Sequence, residues 1–135
     1  MGLGVVPDRA LGTDKLHAIL SQHLPCIYRG IFSSDLLPDT KTYSLPWGIL
    51  LNTDCSHGEG IHWQCWYKST DGVIHHFDSY GSPTKKLEWL RFLQENSKDG
   101  HWIMQRRRIQ GAFSHYCGHY CLYYLIVRSK SPLNI

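Results

Sequence analysis

A thiol is a strong nucleophile only as thiolate, and the start of a helix and a neighbouring imidazole both favour that form. The 135-residue chain has five cysteines, Cys26, Cys55, Cys65, Cys117 and Cys121. Of these, Cys117 falls at the expected start of a helix, behind a loop that carries Gly111. Gly118 follows it, so that backbone there can approach closely and aim an amide at a substrate carbonyl. Two readings stand from this local context, an activated nucleophile and a small buried hydrophobe, since free cysteine is among the most buried residue types. Cys121, one helical turn further on, reads as a core residue.

An imidazole must then come from elsewhere in the fold. Of the nine histidines, His62 is the best placed, because it opens an expected strand just after the Gly58-Glu59-Gly60 turn, at the rim of a sheet. Asp78 closes the next expected strand, at the same rim if the two form a hairpin. A loop of three or five residues centred on Thr70 sets 62 and 78 directly opposite, sharing a face with Cβ atoms ~4.5–5.5 Å apart, near enough for the carboxylate to orient the imidazole. A two-residue turn at Asp71-Gly72 shifts the register and spoils the pairing. The plain alternative for His62, taken alone, is a hydrogen-bonded histidine at a strand end. His75 and His76 lie mid-strand, and His115 and His119, two positions either side of Cys117, are poorly aimed at it. The alternation His115, Cys117, His119, Cys121 suggests zinc, but four alternating residues entering one helix do not converge on a tetrahedron. No metal and no cofactor is expected.

The elements that would position these groups follow from periodicity and breakers. Thr13 to Leu24 predicts a helix, capped by Thr13 or Asp14, with Leu16, Ile19, Leu20 and Leu24 on one face and Pro25 ending it. Residues 25–45 read as a long irregular stretch. Trp47 to Asn52 is a short apolar run, a buried strand. Ile61 to Tyr67 and Val73 to Asp78 read as paired strands joined through Ser69-Thr70-Asp71-Gly72, and Ser79 to Pro83 as a turn. Thr84 to Asn96 predicts a helix with Leu87, Trp89, Leu90, Phe92 and Leu93 as its apolar side. Trp102 to Ile109 reads as a strand, Gly111 to Ser114 as a loop, and Tyr116 to Arg128 as a last, mostly buried helix, apolar nearly all round. The order helix, strands, helix, strand, helix predicts an α+β fold, a small mixed β-sheet flanked by helices, in a single domain over residues 1–135.

Composition narrows the class. Hydrophobic residues at 42% and charged residues at 19% support a buried core and exclude compositional disorder. The longest apolar run, Tyr120 to Val127, falls well short of the ~20 residues a membrane helix needs. Met1-Gly2-Leu3-Gly4 lacks the build of a signal peptide, and Val6 breaks the myristoylation pattern. An odd cysteine count at irregular spacing argues against a disulfide scaffold. These features predict a soluble, non-secreted monomer that does not engage membranes. The net charge of +3 does not by itself imply nucleic acid. The run Arg106-Arg107-Arg108 reads as a solvated strand end or a small DNA-binding patch.

Four segments in order carry a resemblance. Gln110-Gly111, then Ala112 to Tyr116, then Cys117-Gly118 with Cys121 beyond, resembles the active-site segment of the adenovirus protease (adenain) family, in which a glutamine stands seven positions before the nucleophile (117 − 110 = 7). Gly60-Ile61-His62-Trp63 is similar to that family's histidine segment. Phe77-Asp78-Ser79-Tyr80-Gly81 is similar to the segment of its acidic residue, and Leu51-Asn52-Thr53 to an Asn-Thr preceding the histidine. The order His, acid, Gln, Cys is shared with the SUMO- and ubiquitin-like proteases of the same clan.

The resemblance implies a cysteine endopeptidase of adenain/Ulp-type fold, its nucleophile at the N-terminus of a buried helix. Cys117 would be the nucleophile, His62 the general base and then acid, and Asp78 the residue holding the imidazole. Gln110, with the Cys117 backbone N–H, would form the oxyanion hole. It further implies viral precursor polypeptides as substrates in virion maturation, with cleavage after small Gly-containing motifs, in the host cell nucleus and virion. Two departures stand out. Asp78 replaces the glutamate of the adenovirus enzyme, as in the SUMO proteases. The stretch Asp99 to Arg108 has no cysteine of the kind that binds the adenovirus activating peptide. The alternatives are an isopeptidase acting on ubiquitin or a ubiquitin-like modifier, and a non-catalytic zinc- or nucleic-acid-binding domain.

Overall fold

The computed structural model describes residues 12–52, 62–79, 81, 84, 86–105 and 117–130. They form three helices, α1 (Thr13–His23), α2 (Leu87–Asn96) and α3 (Cys117–Lys130), and five strands, β1 (Tyr28–Phe32), β2 (Trp47–Asn52), β3 (Trp63–Lys68), β4 (Ile74–Phe77) and β5 (Trp102–Gln105). The strands make one mixed sheet in the order β1-β2-β3-β4-β5. The two outer pairs are parallel and the two inner pairs antiparallel. The architecture is α+β, as the element order predicts.

Both faces of the sheet are covered. Leu50, Cys65, Tyr67 and Phe77 pack with Leu16 and Leu20 of α1 and Cys121, Leu122 and Leu125 of α3. Trp47, Ile49, Leu51, Trp66 and Ile74 pack on the opposite face with Trp89 and Leu93 of α2. Two-sided burial explains why β2 and β3 read as near-continuous apolar runs rather than alternating ones. α2 is tied down by Trp89 Nε1 donating to the Ser34 carbonyl at 3.0 Å, and by Ser97 Oγ accepting from the Ile74 N–H at 2.9 Å.

Several sequence expectations are corrected. The residue capping α1 is Gly12, with no side-chain cap, rather than Thr13 or Asp14. α2 begins at Leu87 rather than Thr84, and Leu87, expected on its apolar side, is 78% exposed. The expected irregular stretch contains β1. Its pairing with β2 slips between Tyr28 and Ile31, where Gly30 takes φ 134°, so the strand is interrupted by a glycine bulge that hides it from pattern reading. α3 carries two exposed apolar residues, Tyr123 and Val127, at 45% and 60%, on an otherwise mostly buried helix, as expected. Tyr120 and Tyr124 pack against the core, Tyr124 stacking on Phe77 with centroids 4.4 Å apart.

The hairpin loop also differs. Lys68 pairs with Ile74 and Cys65 with Phe77, so the five-residue loop 69–73 is centred on Asp71, not Thr70. Asp71 Oδ1 accepts from the Val73 N–H at 3.1 Å and from the Ser69 hydroxyl. This side-chain turn sets the loop length. Continued outward, the register places 62 diagonal to 78 instead of opposite it. Because the displacement is a whole two-residue pleat, the two positions stay on one face, and a diagonal pair is still within reach of long side chains.

α3 lies close to the sheet at β2, where a Cβ on Gly48 would fall 2.8 Å from Leu125 Cδ2. Leu125 is fully buried and has no room to retreat. Gly48→Val is therefore expected to destabilise the protein by ~1–3 kcal/mol, measured by urea unfolding. Since α3 carries Cys117, the same change should also lower the reactivity of that thiol.

Candidate active site

Three elements deliver three side chains to one end of the sheet. His62 directly precedes β3, Asp78 directly follows its antiparallel partner β4, and Cys117 is the first residue of α3. The chain reverses between β3 and β4, so the start of one and the end of the other share a rim. α3 packs on β3 so that the Trp63 N–H donates to Cys117 Sγ at 3.4 Å. His62 Nε2 lies 2.5 Å from Asp78 Oδ1, a short contact between partners that are 9% and 1% exposed. With Nε2 engaged by Asp78, the ring also lies close enough to the Cys117 sulfur for each to shift the other's proton affinity. The three groups form one line of carboxylate, imidazole and sulfur.

The electrostatics of the line favour charge separation. Burial pulls the His62 pKa down, but the hydrogen bond to Asp78, the hydrogen bond to Cys117 and the charges of both outweigh it and raise it to about 9. For Cys117, burial pushes upward. The His62 hydrogen bond, the Trp63 N–H, the His62 charge and the Gly118 N–H outweigh it and leave the thiol below its ordinary value. The two directions agree: proton on the imidazole, negative charge on the sulfur. A shift in this direction raises the share of thiolate, the nucleophilic form, and a protonated imidazole beside it can act as proton donor.

The competing residues are held differently. Cys121 is fully buried beside Cys65, and burial drives its thiol well above the ordinary value, so the two cysteines of α3 are chemically distinct. His76 is fully buried, accepts from Trp66 Nε1 at 2.5 Å through Nδ1, and is lowered to about 4 by burial. His75 is lowered to about 4 by burial and then by the Arg128 charge.

A histidine whose folded pKa lies below its unfolded value of ~6.5 contributes stability that is full above pH 6.5 and is lost as pH falls through the folded value. Unfolding should therefore take up as many as two more protons between about pH 6.5 and 4. Its free energy is expected to fall at up to roughly 2.7 kcal/mol per pH unit in that window. Urea titrations at stepped pH check the slope, and His76→Phe should roughly halve it.

Gln110, Arg106, Arg107, Arg108 and His115 lie outside the described residues. What the sequence could not name are the backbone donors, the N–H groups of Trp63 and Gly118 that face the sulfur. Among the described residues no three His, Cys, Asp or Glu side chains are grouped to hold a metal ion, and no helix is long and apolar enough to cross a membrane.

No protein-family model matches the sequence, and no curated protein does. Among solved structures, the chain is similar to the crystal structure of Se-Met ASFV pS273R protease, at 25% sequence identity and a TM-score of 0.47. The match covers 62% of this chain and 34% of that one, so it spans about a third of that protease's length.

Proposed function

We propose that this chain is a cysteine endopeptidase using Cys117, His62 and Asp78. The observation that carries the reading is the buried contact of His62 Nε2 with Asp78 Oδ1 at 2.5 Å, on an imidazole that interacts electrostatically with the Cys117 thiol at the head of α3. In the reaction, the Cys117 sulfur attacks the peptide carbonyl carbon and the carbonyl electrons move onto oxygen. The tetrahedral intermediate collapses as His62 gives its proton to the leaving amine, which breaks the C–N bond and leaves a thioester. Water, deprotonated by His62, then attacks the thioester, and the acid and the free thiolate are regenerated. Asp78 holds the ring in the orientation both steps need. The Cys117 backbone N–H and the Gln110 amide are assigned to the oxyanion, where one donor is worth ~2.7–4 kcal/mol of barrier.

Finer features rest on the motif resemblance. The substrates proposed are viral precursor polypeptides cut after Gly-containing motifs during virion maturation, with Arg106 to Arg108 available to DNA. A second reading has a specific residue behind it: aspartate at position 78, as in the SUMO proteases, fits an isopeptidase for a ubiquitin-like modifier. The test incubates wild-type and Cys117→Ala protein with Gly-containing peptides and with ubiquitin and SUMO carrying C-terminal electrophiles. Peptide cleavage that depends on Cys117 supports the endopeptidase, and labelling by a modifier probe supports the isopeptidase. Cleavage surviving in Cys117→Ala would refute both. Stoichiometric zinc with an unreactive Cys117 would favour a binding domain.

A further inference from the structure

His76 lies in β4, fully buried, with its ring 6.3, 6.4 and 6.3 Å by centroid from the rings of Trp66, Trp89 and Trp102. Trp66 Nε1 lies 2.5 Å from His76 Nδ1. An indole N–H can only donate, so Nδ1 is the acceptor. Burial lowers the ring pKa to about 4, so at neutral pH the ring is uncharged and its one proton sits on Nε2. That Nε2–H is buried and has no hydrogen-bond partner in the protein. The surrounding indoles offer it no acceptor nitrogen.

Gln64 in β3 presents the complementary case. It is 7% exposed, and its Oε1 is a buried acceptor that likewise has no partner in the protein. The register sets the two residues on one face. Trp66 pairs with His76 and Cys65 with Phe77, so 64 shares its face with 66 and stands diagonal to 76. Diagonal positions on an antiparallel pair lie roughly 7–8 Å apart, within reach of long side chains. Across β2 the partner of Gln64 is Leu51, which supplies no polar group. Turning the Gln64 amide over would set a donor against the His76 donor, so Oε1 is the inward end.

A buried polar atom without a partner is rare enough to need an explanation, and here two of opposite polarity are neighbours. They do not bond each other, so a link between them takes a third group that both accepts and donates. Water is the smallest such group, and interior sites of this polarity are where proteins hold it. We propose that one buried water accepts from His76 Nε2–H and donates to Gln64 Oε1, a site on the α2 face of the sheet that fixes His76 as its Nε2–H tautomer.

The site itself stands apart from the proposed function, and only its consequence rests on that reading. Asp78 follows His76 by two residues on the same face, and its charge favours a proton on His76. A second imidazolium there would compete with His62 for the carboxylate. A neutral, water-bound His76 does not.

The experiment reads the His76 ring by ¹⁵N NMR at neutral pH in wild-type and Gln64→Leu protein. Urea unfolding is measured alongside on wild type, Gln64→Leu, His76→Phe and the double variant. The expected wild-type spectrum has a bare Nδ1, a protonated Nε2 and a cross-relaxation peak between the Nε2 proton and long-lived water, with that peak lost in Gln64→Leu. Gln64→Leu should lower the folding equilibrium constant about tenfold in wild type and no more than about twofold in the His76→Phe background, where the donor is already gone. A proton on Nδ1, a wild-type Nε2 proton without the water peak (as a direct bond to Gln64 would give), or an equal cost of Gln64→Leu in both backgrounds overturns the proposal. If the variants fail to fold, the wild-type spectrum decides alone. The water peak together with no cleavage of any peptide would leave this inference standing and count against the endopeptidase.

Discussion

Cys117→Ala is expected to abolish peptide cleavage, a fall of at least ~10³-fold in kcat/KM, while Cys121→Ala keeps turnover within a few-fold of wild type. The two residues have the same side chain, one turn apart on α3, and differ only in surroundings. Cys117 receives the Trp63 and Gly118 N–H groups and the imidazole of His62, all of which favour negative sulfur. Cys121 faces Cys65 in the closed core, where a charge is strongly disfavoured. Loss of the Cys121 sulfur removes packing, so its cost should appear in unfolding free energy, at about 1 kcal/mol, rather than in rate. Initial rates and urea midpoints on both variants separate the two roles. Equal loss of activity in both would mean that the surroundings do not distinguish them.

His62→Ala should reduce cleavage by ~10²–10⁴-fold, since it removes both the thiolate's partner and the proton donor to the leaving amine. The pH dependence carries the sharper expectation. In wild type, burial raises the Cys117 pKa and its hydrogen bonds and the His62 charge more than compensate. Without His62 the burial contribution is opposed by backbone N–H groups alone, so the acid limb of the pH–rate profile should move upward. Asp78→Asn keeps the shape of its side chain but removes the charge that helps hold His62 at about 9. It should therefore move the profile the same way by a smaller amount, with a fall of ~10²-fold near neutrality. Profiles that keep their wild-type midpoint in both variants would be inconsistent with a charge-separated pair.

The parts of the site that were legible in the sequence were those set by local chemistry. Cys117 before Gly118 at a helix start, and His62 and Asp78 at the ends of two successive strands, required only periodicity and a turn. The details of pairing were not legible. β3 and β4 are buried on both faces, so alternation does not discriminate one register from its neighbour, and the Asp71 side chain decides the loop. The carboxylate–imidazole contact survived that misreading because a two-residue slip preserves the face. β1 was hidden by the bulge at Gly30. The donors to Cys117 from Trp63 and Gly118 are backbone groups, which every residue carries and no side-chain pattern reveals.

The proposed function requires sulfur and imidazole to share a charge-separated state at neutral pH. The direct measurement is the pH dependence of Cys117 alkylation, followed on its own peptide, in wild-type and His62→Ala protein. The expected wild-type curve has its midpoint below the ordinary thiol range and a second inflection near pH 9, as His62 gives up its proton, with both features absent in His62→Ala. A single wild-type midpoint at the ordinary thiol value, unchanged when His62 is removed, would contradict it.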